Sequence, residues 1–276
     1  MEPLPIPTVP PQWLLRHLGD SDLRILDIRW TLADGPDASG YATGHIPGAS
    51  FIDLDRVLAG PPGPGGRHPL PPPDEFGREM REVGISVGSR VVVYDQVTGA
   101  AARAWWLLRA AGVAQVAVLD GGLDAYLRAG GVLSQQVPTP TPGNLRVESF
   151  SGQVSAELIP QLQQRGYWVL DARAGDRYHG APNPLDPRPG HLPGARSLPW
   201  AELFTEDSRL DHEGARRRLR ELGHSGQPII AYCGSGVTAC ALLLALDAAG
   251  APELHLYPGS WSEWAADPAK PVECPA

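Results

Sequence analysis

The chain repeats itself, and the repeat constrains its fold more than any other feature of its 276 residues. Leu26-Asp27-Ile28-Arg29 returns as Leu170-Asp171-Ala172-Arg173, and Gly44-His45-Ile46-Pro47-Gly48-Ala49 as Gly190-His191-Leu192-Pro193-Gly194-Ala195. Val91-Val92-Val93-Tyr94-Asp95 is matched by Ile229-Ile230-Ala231-Tyr232-Cys233, and Leu119-Asp120-Gly121-Gly122-Leu123 by Tyr257-Pro258-Gly259-Ser260-Trp261. The offsets are 144, 146, 138 and 138 residues, so the register holds with small insertions and deletions. Such a long-period repeat predicts two tandem copies of one domain, residues 1–135 and 145–276. Residues 136–144 join them, a proline- and threonine-rich stretch that reads as an extended linker. Within each copy short β-rich runs alternate with helical patterns, which predicts an α/β fold with a mainly parallel sheet and helices on both faces. Catalytic groups in such folds collect at the carboxyl ends of the strands. Cys233 falls at such an end in the second copy, and Asp95 in the first.

Cys233 opens Cys233-Gly234-Ser235-Gly236-Val237-Thr238-Ala239, between the apolar runs Ile229 to Tyr232 and Ala239 to Leu246. That order reads as buried strand, glycine loop, then helix. The glycines let backbone N–H groups curl toward the sulfur, and the loop sits at a helix start, where unpaired N–H groups and the helix dipole favour negative charge. Both effects favour thiolate over thiol and make Cys233 the expected nucleophile.

Composition narrows the partners. Hydrophobic content of 42% and charged content of 20% are those of a soluble globular protein, and no apolar run approaches the roughly 18 residues of a spanning helix. The start MEPLPIPTVPPQW is acidic and proline-broken, unlike a secretory signal, and three scattered cysteines suggest no disulfide scaffold, so a reducing cytoplasm is expected. A net charge of −8 argues against nucleic acid and against an anionic membrane surface. An acidic protein that binds a small anion must therefore gather positive charge locally. Lys270 is the only lysine and lies in a proline-flanked tail, which disfavours Schiff-base chemistry, whereas arginine suits bidentate capture of a carboxylate. No Cys/His pair has zinc-site spacing and no glycine loop carries a nucleotide-binding lysine, so neither metal nor cofactor is expected.

The Cys233 heptad resembles the active-site loop of the rhodanese-type sulfurtransferases, in the version typical of 3-mercaptopyruvate sulfurtransferases, and with the duplication the resemblance covers nearly the whole chain. It implies two tandem rhodanese-like domains, in which the cysteine takes sulfane sulfur, holds it as a persulfide and passes it to a thiophilic acceptor. It further implies that the N-terminal copy, with Asp95 in place of the cysteine, is silent as a sulfur carrier. The implied substrate-binding residues are Arg177, just before the aromatic Tyr178, and Arg188, upstream of Gly190-His191, together with the loop residues Gly234, Gly236, Val237 and Thr238. A relay of Ser235, His68 and Asp55 is implied for deprotonating the donor thiol, with the last two supplied by the N-terminal domain. Arg173 is instead expected to pair with Asp171, and Cys240 to pack the core. His45 and His191 are expected to fix the loop of each copy, and Asp53 and Asp95 to be structural.

Loop positions two and three bear on the donor. Thiosulfate-preferring rhodaneses resemble Cys-Arg-Lys-Gly there, whereas Gly234 and Ser235 are neutral, so a dianion loses two charge-assisted contacts of about 1–3 kcal/mol each. 3-Mercaptopyruvate is thus the expected donor, and thiosulfate:cyanide sulfurtransferase is the alternative. Cyanide, a small thiol, thioredoxin or a biosynthetic sulfur acceptor all fit as acceptor, and a monomer is the expected state. A cysteine phosphatase would need Cys-x5-Arg, but Ala239 stands where that arginine belongs. A non-catalytic rhodanese module would lack the cysteine, which is present.

Overall fold

The structure, a computed structural model, describes residues 2–97 and 99–274. The chain forms two compact units. The first comprises residues up to Gly60, Pro71–Ser151 and Glu206–Leu210; the second comprises Pro61–Leu70, Gly152–Thr205 and Asp211 onward. Each unit thus borrows a short segment from the opposite half of the sequence, and the change of unit after the linker comes between Ser151 and Gly152.

In the first unit β1 (Thr8–Val9), β2 (Leu23–Asp27), β5 (Ala49–Phe51), β6 (Arg90–Tyr94) and β7 (Gln115–Leu119) form one sheet in the order β1-β7-β6-β2-β5, every pairing parallel. A two-stranded ribbon, β3 (Trp30–Thr31) with β4 (Gly35–Pro36), stands apart from it. β6 is buried at all five positions, as its valine run requires of a strand covered on both faces. One face packs Ile25, Val92, Tyr94, Ala117 and Leu119 with Trp13 and Leu14 of α1 (Pro11–His17) and Leu123 and Tyr126 of α5 (Gly122–Arg128). Alternation along the strands gives Val91, Val93, Val116 and Val118 to the other face, where α4 (Gly99–Ala110) packs against β6 and β7. The short α2 (Ala38–Thr43) and the longer α3 (Pro73–Glu82) complete the unit's helices.

The second unit repeats the plan. β8 (Trp168–Asp171), β9 (Arg196–Ser197), β10 (Ile229–Tyr232) and β11 (Leu254–Leu256) form a sheet in the order β11-β10-β8-β9, again wholly parallel. A single bridge, Gln153 to Leu256, stands where β1 stands in the first unit. Val169, Ile230 and Tyr232 cluster with Ile159 of α6 (Ile159–Gln164) and with Trp261 and Trp264 of α10 (Ser260–Trp264). α8 (His212–Glu221) and α9 (Ala239–Ala249) pack together, with α9 against β10 and β11; α7 (Gly175–Tyr178) is a single turn after β8. Ala239 to Leu246 are all buried, so α9 is apolar around its circumference and sits as a core helix. No helix among the described residues is long and apolar enough to cross a membrane.

Candidate active site

The same polar frame lies under the strand ends of both units. Asp171, at the end of β8, is fully buried and takes a two-pronged contact from the Arg173 guanidinium, at 3.0 Å from Nε and 2.6 Å from Nη2. Arg173 Nη2 also donates to the Gly190 carbonyl at 2.7 Å, and the Tyr232 hydroxyl donates to Asp171 at 2.6 Å. Burial, and then the Asp171 charge, pushes the Tyr232 phenol far above its ordinary value, so the hydroxyl stays a donor. Asp27, Arg29, Gly44 and Tyr94 repeat these bonds in the first unit, at 2.7 Å from Arg29 Nη2 to Asp27, 2.9 Å to Gly44 and 2.5 Å from Tyr94 to Asp27. The frame ties the strand ends to the Gly-His loop. His191 secures that loop by its Nδ1 contact with the Tyr178 carbonyl and by stacking on Tyr178 at 3.7 Å; His45 does the same with Tyr41. Arg173 and both histidines are therefore structural, as their recurrence indicates.

Above this frame Cys233 leaves β10, 2% exposed. Its amide donates to Ser260 Oγ at 3.1 Å, and its carbonyl accepts from the Trp261 amide at 2.9 Å. The Gly236 amide points back at the sulfur, 3.1 Å from Sγ. Gly236 has φ +81, and a Cβ there would stand 2.3 Å from the Pro258 carbonyl oxygen, so only glycine closes the loop. The amides of Gly234, Ser235, Val237 and Thr238 find no acceptor among the described residues, which leaves a set of donors around the sulfur at the start of α9. Cys240 is fully buried and bonds the Gly236 carbonyl through Sγ at 3.4 Å, in keeping with a core role. Ser260 escaped the sequence reading. It holds φ +53, where its repeat partner Gly122 has φ +58, and this left-handed backbone sets its hydroxyl under the Cys233 amide. A serine matched to a glycine in the other copy was the available signal.

Of the proposed relay, the structure brings Ser235 and His68 together, at 2.8 Å between Oγ and Nδ1. His68 comes from the first half of the sequence, yet its segment belongs to the compact unit that carries Cys233. Asp55 belongs to the other unit, in the helical turn Leu54–Leu58, and accepts from Trp30 Nε1 at 3.0 Å. Burial raises its carboxyl above the ordinary value, against the Trp30 bond, and the neighbouring Asp53 charge adds to the rise. Asp53 caps the same turn through the Arg56 amide. Among the described residues no group of three or more His, Cys, Asp or Glu could hold a metal ion.

The arginines require a correction. Arg188, assigned to substrate, spends its guanidinium on four backbone carbonyls, those of Ala265, Lys270, Trp264 and Asp267, at 2.9, 3.1, 3.2 and 2.7 Å. It fastens the proline-rich loop to the end of α10 and the segment after it. Arg177 does reach the site: a Cβ on Gly234 would lie 3.2 and 3.5 Å from its Nη2 and Nη1. Arg67 reaches the same point, with Nη2 at 2.9 Å, and the sequence reading passed over it although it precedes His68 in the same loop. The buried carboxylate of Asp186 accepts from Arg177 Nη2 and from Arg67 Nη1. The neutral Gly234-Ser235 pair therefore does not leave the loop without cations, because two guanidiniums converge beside Gly234 from outside it.

A rhodanese-like domain is matched at residues 10–129 and again at 155–267. The chain belongs to the rhodanese-like family. This rhodanese-like protein is 44% identical to a probable 3-mercaptopyruvate sulfurtransferase of Pseudomonas aeruginosa, over 95% of both chains. It is 40% identical to the putative thiosulfate sulfurtransferase SseB of Mycobacterium tuberculosis, over 90% of this chain and 89% of that one. Among solved structures, the 3-mercaptopyruvate sulfurtransferase SseA of Escherichia coli superimposes with a TM-score of 0.82 at 34% identity, covering 93% of this chain and 99% of the other.

Proposed function

We propose that the protein is a sulfurtransferase that moves sulfane sulfur from 3-mercaptopyruvate to a thiophilic acceptor through a persulfide on Cys233. The Cys233 thiolate attacks the donor sulfur; the S–S bond forms as the donor C–S bond breaks, and its electron pair passes to the pyruvate carbon as an enolate. The donor thiol's proton must leave sulfur, and a proton must reach that carbon, to give pyruvate and a deprotonated persulfide. A hydroxyl hydrogen-bonded to an imidazole can do both, and the 2.8 Å contact of Ser235 with His68 is the observation that carries the reading. Thiosulfate transfer, by contrast, releases sulfite without moving a proton. The Gly236 amide and the unpartnered amides of the loop stabilise negative charge on the persulfide sulfurs. A thiol, thioredoxin or cyanide then takes the outer sulfur and restores Cys233. Thiosulfate remains the second reading, favoured by the guanidiniums beside Gly234 and by the name of the Mycobacterium relative.

The test is kcat/KM for both donors with one acceptor. Ser235→Ala is expected to lower the 3-mercaptopyruvate value by about 10²–10⁴, the usual worth of general acid–base catalysis, and to leave thiosulfate within a few-fold. Donor treatment should add about 32 Da to the Cys233 peptide, because the thiolate is the attacking group. Equal losses with both donors would remove the proton-relay argument, and sulfur found on another cysteine would remove the carrier.

A further inference from the structure

We propose that the second unit holds a binding site for a small organic ammonium with an apolar body, in a cavity lined by Tyr257 and Glu263. The cavity has a volume of about 480 Å³, within the range of small-molecule sites. It is not the sulfur site, since none of Cys233, Ser235, His68 and Arg177 lines it. Pro258 and Gly259 stand between the two: both line the cavity, and a Cβ on Gly236 in the Cys233 loop would overlap the Pro258 carbonyl oxygen.

Two polar groups in the cavity lack what they need. Tyr257 is fully buried, and its hydroxyl closes no hydrogen bond among the described residues, although the Glu263 carboxylate lies near it. A buried hydroxyl left in that state is costly unless a ligand or a water pairs it. Glu263 is half-buried and forms no ion pair among the described residues. A side chain on Gly259 would overlap Glu263 Oε2, so the carboxylate folds back over the start of α10 only because Gly259 has none. Burial holds the Glu263 carboxyl above its ordinary value; the Glu157 charge adds to the rise, while Tyr257 and Lys270 oppose it. No arginine, lysine or histidine lines the cavity. Lys270 is turned to Glu157 at 3.7 Å and lies 4.8 Å from the Trp264 ring centroid.

These features select the ligand's chemistry. A half-buried carboxylate without a cation is matched by a ligand that brings one, and an ammonium can donate to Glu263 and to the Tyr257 oxygen together. An anion would face the Glu263 charge instead. A metal ion would find one carboxylate and one phenol, and no group of three or more His, Cys, Asp or Glu among the described residues could hold one. Pro69, Leu70, Val154 and Leu158 supply apolar walls for the rest of the ligand, and Leu158, 47% exposed, extends them to the rim.

The test compares two probes of one size on the full-length protein, benzylamine and benzyl alcohol, by titration with backbone amide shifts as the readout. Benzylamine should bind in the millimolar range usual for so small a ligand and shift amides in 153–158 and 257–263. Glu263→Gln should weaken benzylamine about tenfold or more and change benzyl alcohol less than about threefold, because only the charge-assisted contact is lost. Tyr257→Phe should weaken benzylamine about threefold and melt no lower than wild type, since the hydroxyl it removes is unpaired. Benzylamine affinity should also fall as pH drops through the raised Glu263 value, and Glu263→Gln should abolish that dependence. No sulfur donor enters the assay, so failure of the sulfur-transfer reading leaves this result intact. No binding of benzylamine, equal losses of both probes in Glu263→Gln, or shifts confined to other residues would overturn the proposal.

Discussion

Replacing Arg188 by alanine separates the structural reading of that residue from the catalytic one. The side chain closes four hydrogen bonds to carbonyls between Trp264 and Lys270, and its own carbonyl accepts from Trp261 Nε1 at 3.0 Å. In the variant the carbonyls of Asp267 and Lys270, on partly exposed residues, can turn to water at little cost. Those of Trp264 and Ala265, at 3% and 2% exposure, are the ones left poorly paired. At about 1–2 kcal/mol for each bond lost from a cation to a buried carbonyl, destabilisation of about 2–4 kcal/mol is expected. For a unit of this size that lowers the melting temperature by roughly 6–12 °C. Tryptophans are spread over both units, and the second holds Trp168 and Trp200 besides Trp261 and Trp264, so hydrogen exchange of peptides spanning residues 260–274 is a cleaner assay than fluorescence. Protection there should fall while KM for either donor changes less than about twofold, because no donor contact is removed. Unchanged protection with KM raised about tenfold or more would show that Arg188 binds substrate.

Three further outcomes follow from the second unit. Gly236→Ala should destabilise it by about 2–5 kcal/mol, from the left-handed backbone and the overlap with Pro258, in chemical denaturation. Gly234→Ala, whose methyl meets only the movable tips of two arginines, should unfold near the wild-type midpoint and show its effect in donor KM. Glu263 lines a cavity of about 480 Å³ with Tyr257, and burial pushes its carboxyl above the ordinary 4.5, an effect Glu157 reinforces and Lys270 opposes. Over that window the folded state binds more protons than the unfolded, so stability falls as pH rises from 4.5 through the raised value. Glu263→Gln should therefore melt above wild type at neutral pH and with it well below pH 4.5, and equal melting temperatures at both would refute the shift.

What could be read from the chain was whatever depends on near neighbours. Strand, glycine loop and helix around Cys233 are contiguous, and Arg173 and Asp171 lie two residues apart, so their pairing follows from local geometry. The duplication supplied a second signal, since a residue present in both copies, such as His45 and His191, must serve the shared fold. Arg188 failed because its partners lie 76 to 82 residues on, and distance along a proline-rich loop says nothing of which way a side chain turns. Arg67 was missed for the same reason: its amide is held by Ser262, 195 residues away. The assignment of residues 61–70 to the second unit likewise depends on long-range contacts that no local pattern reports.

Comparison of the two copies shows how little separates the strand end of the first from the proposed sulfur site of the second. Both retain the buried aspartate, arginine and tyrosine that fix the strand ends. Both also return a backbone amide to the carbonyl at the end of the central strand, Leu123 to Asp95 and Trp261 to Cys233. In the first, the Asp95 carboxylate accepts from the Ala101 amide at 2.8 Å at the start of α4. In the second, the sulfur of Cys233 occupies the corresponding strand end and accepts from the Gly236 amide. Both strand ends thus set an acceptor at a helix start over the same frame. Chemistry then comes from what surrounds the position. Only the second copy has the Gly-Ser-Gly turn, the Ser260 hydroxyl in place of Gly122, and the residue 61–70 segment that delivers His68 and Arg67. The proposed nucleophile is a point substitution, whereas its proposed proton donor depends on a segment drawn from the other half of the chain.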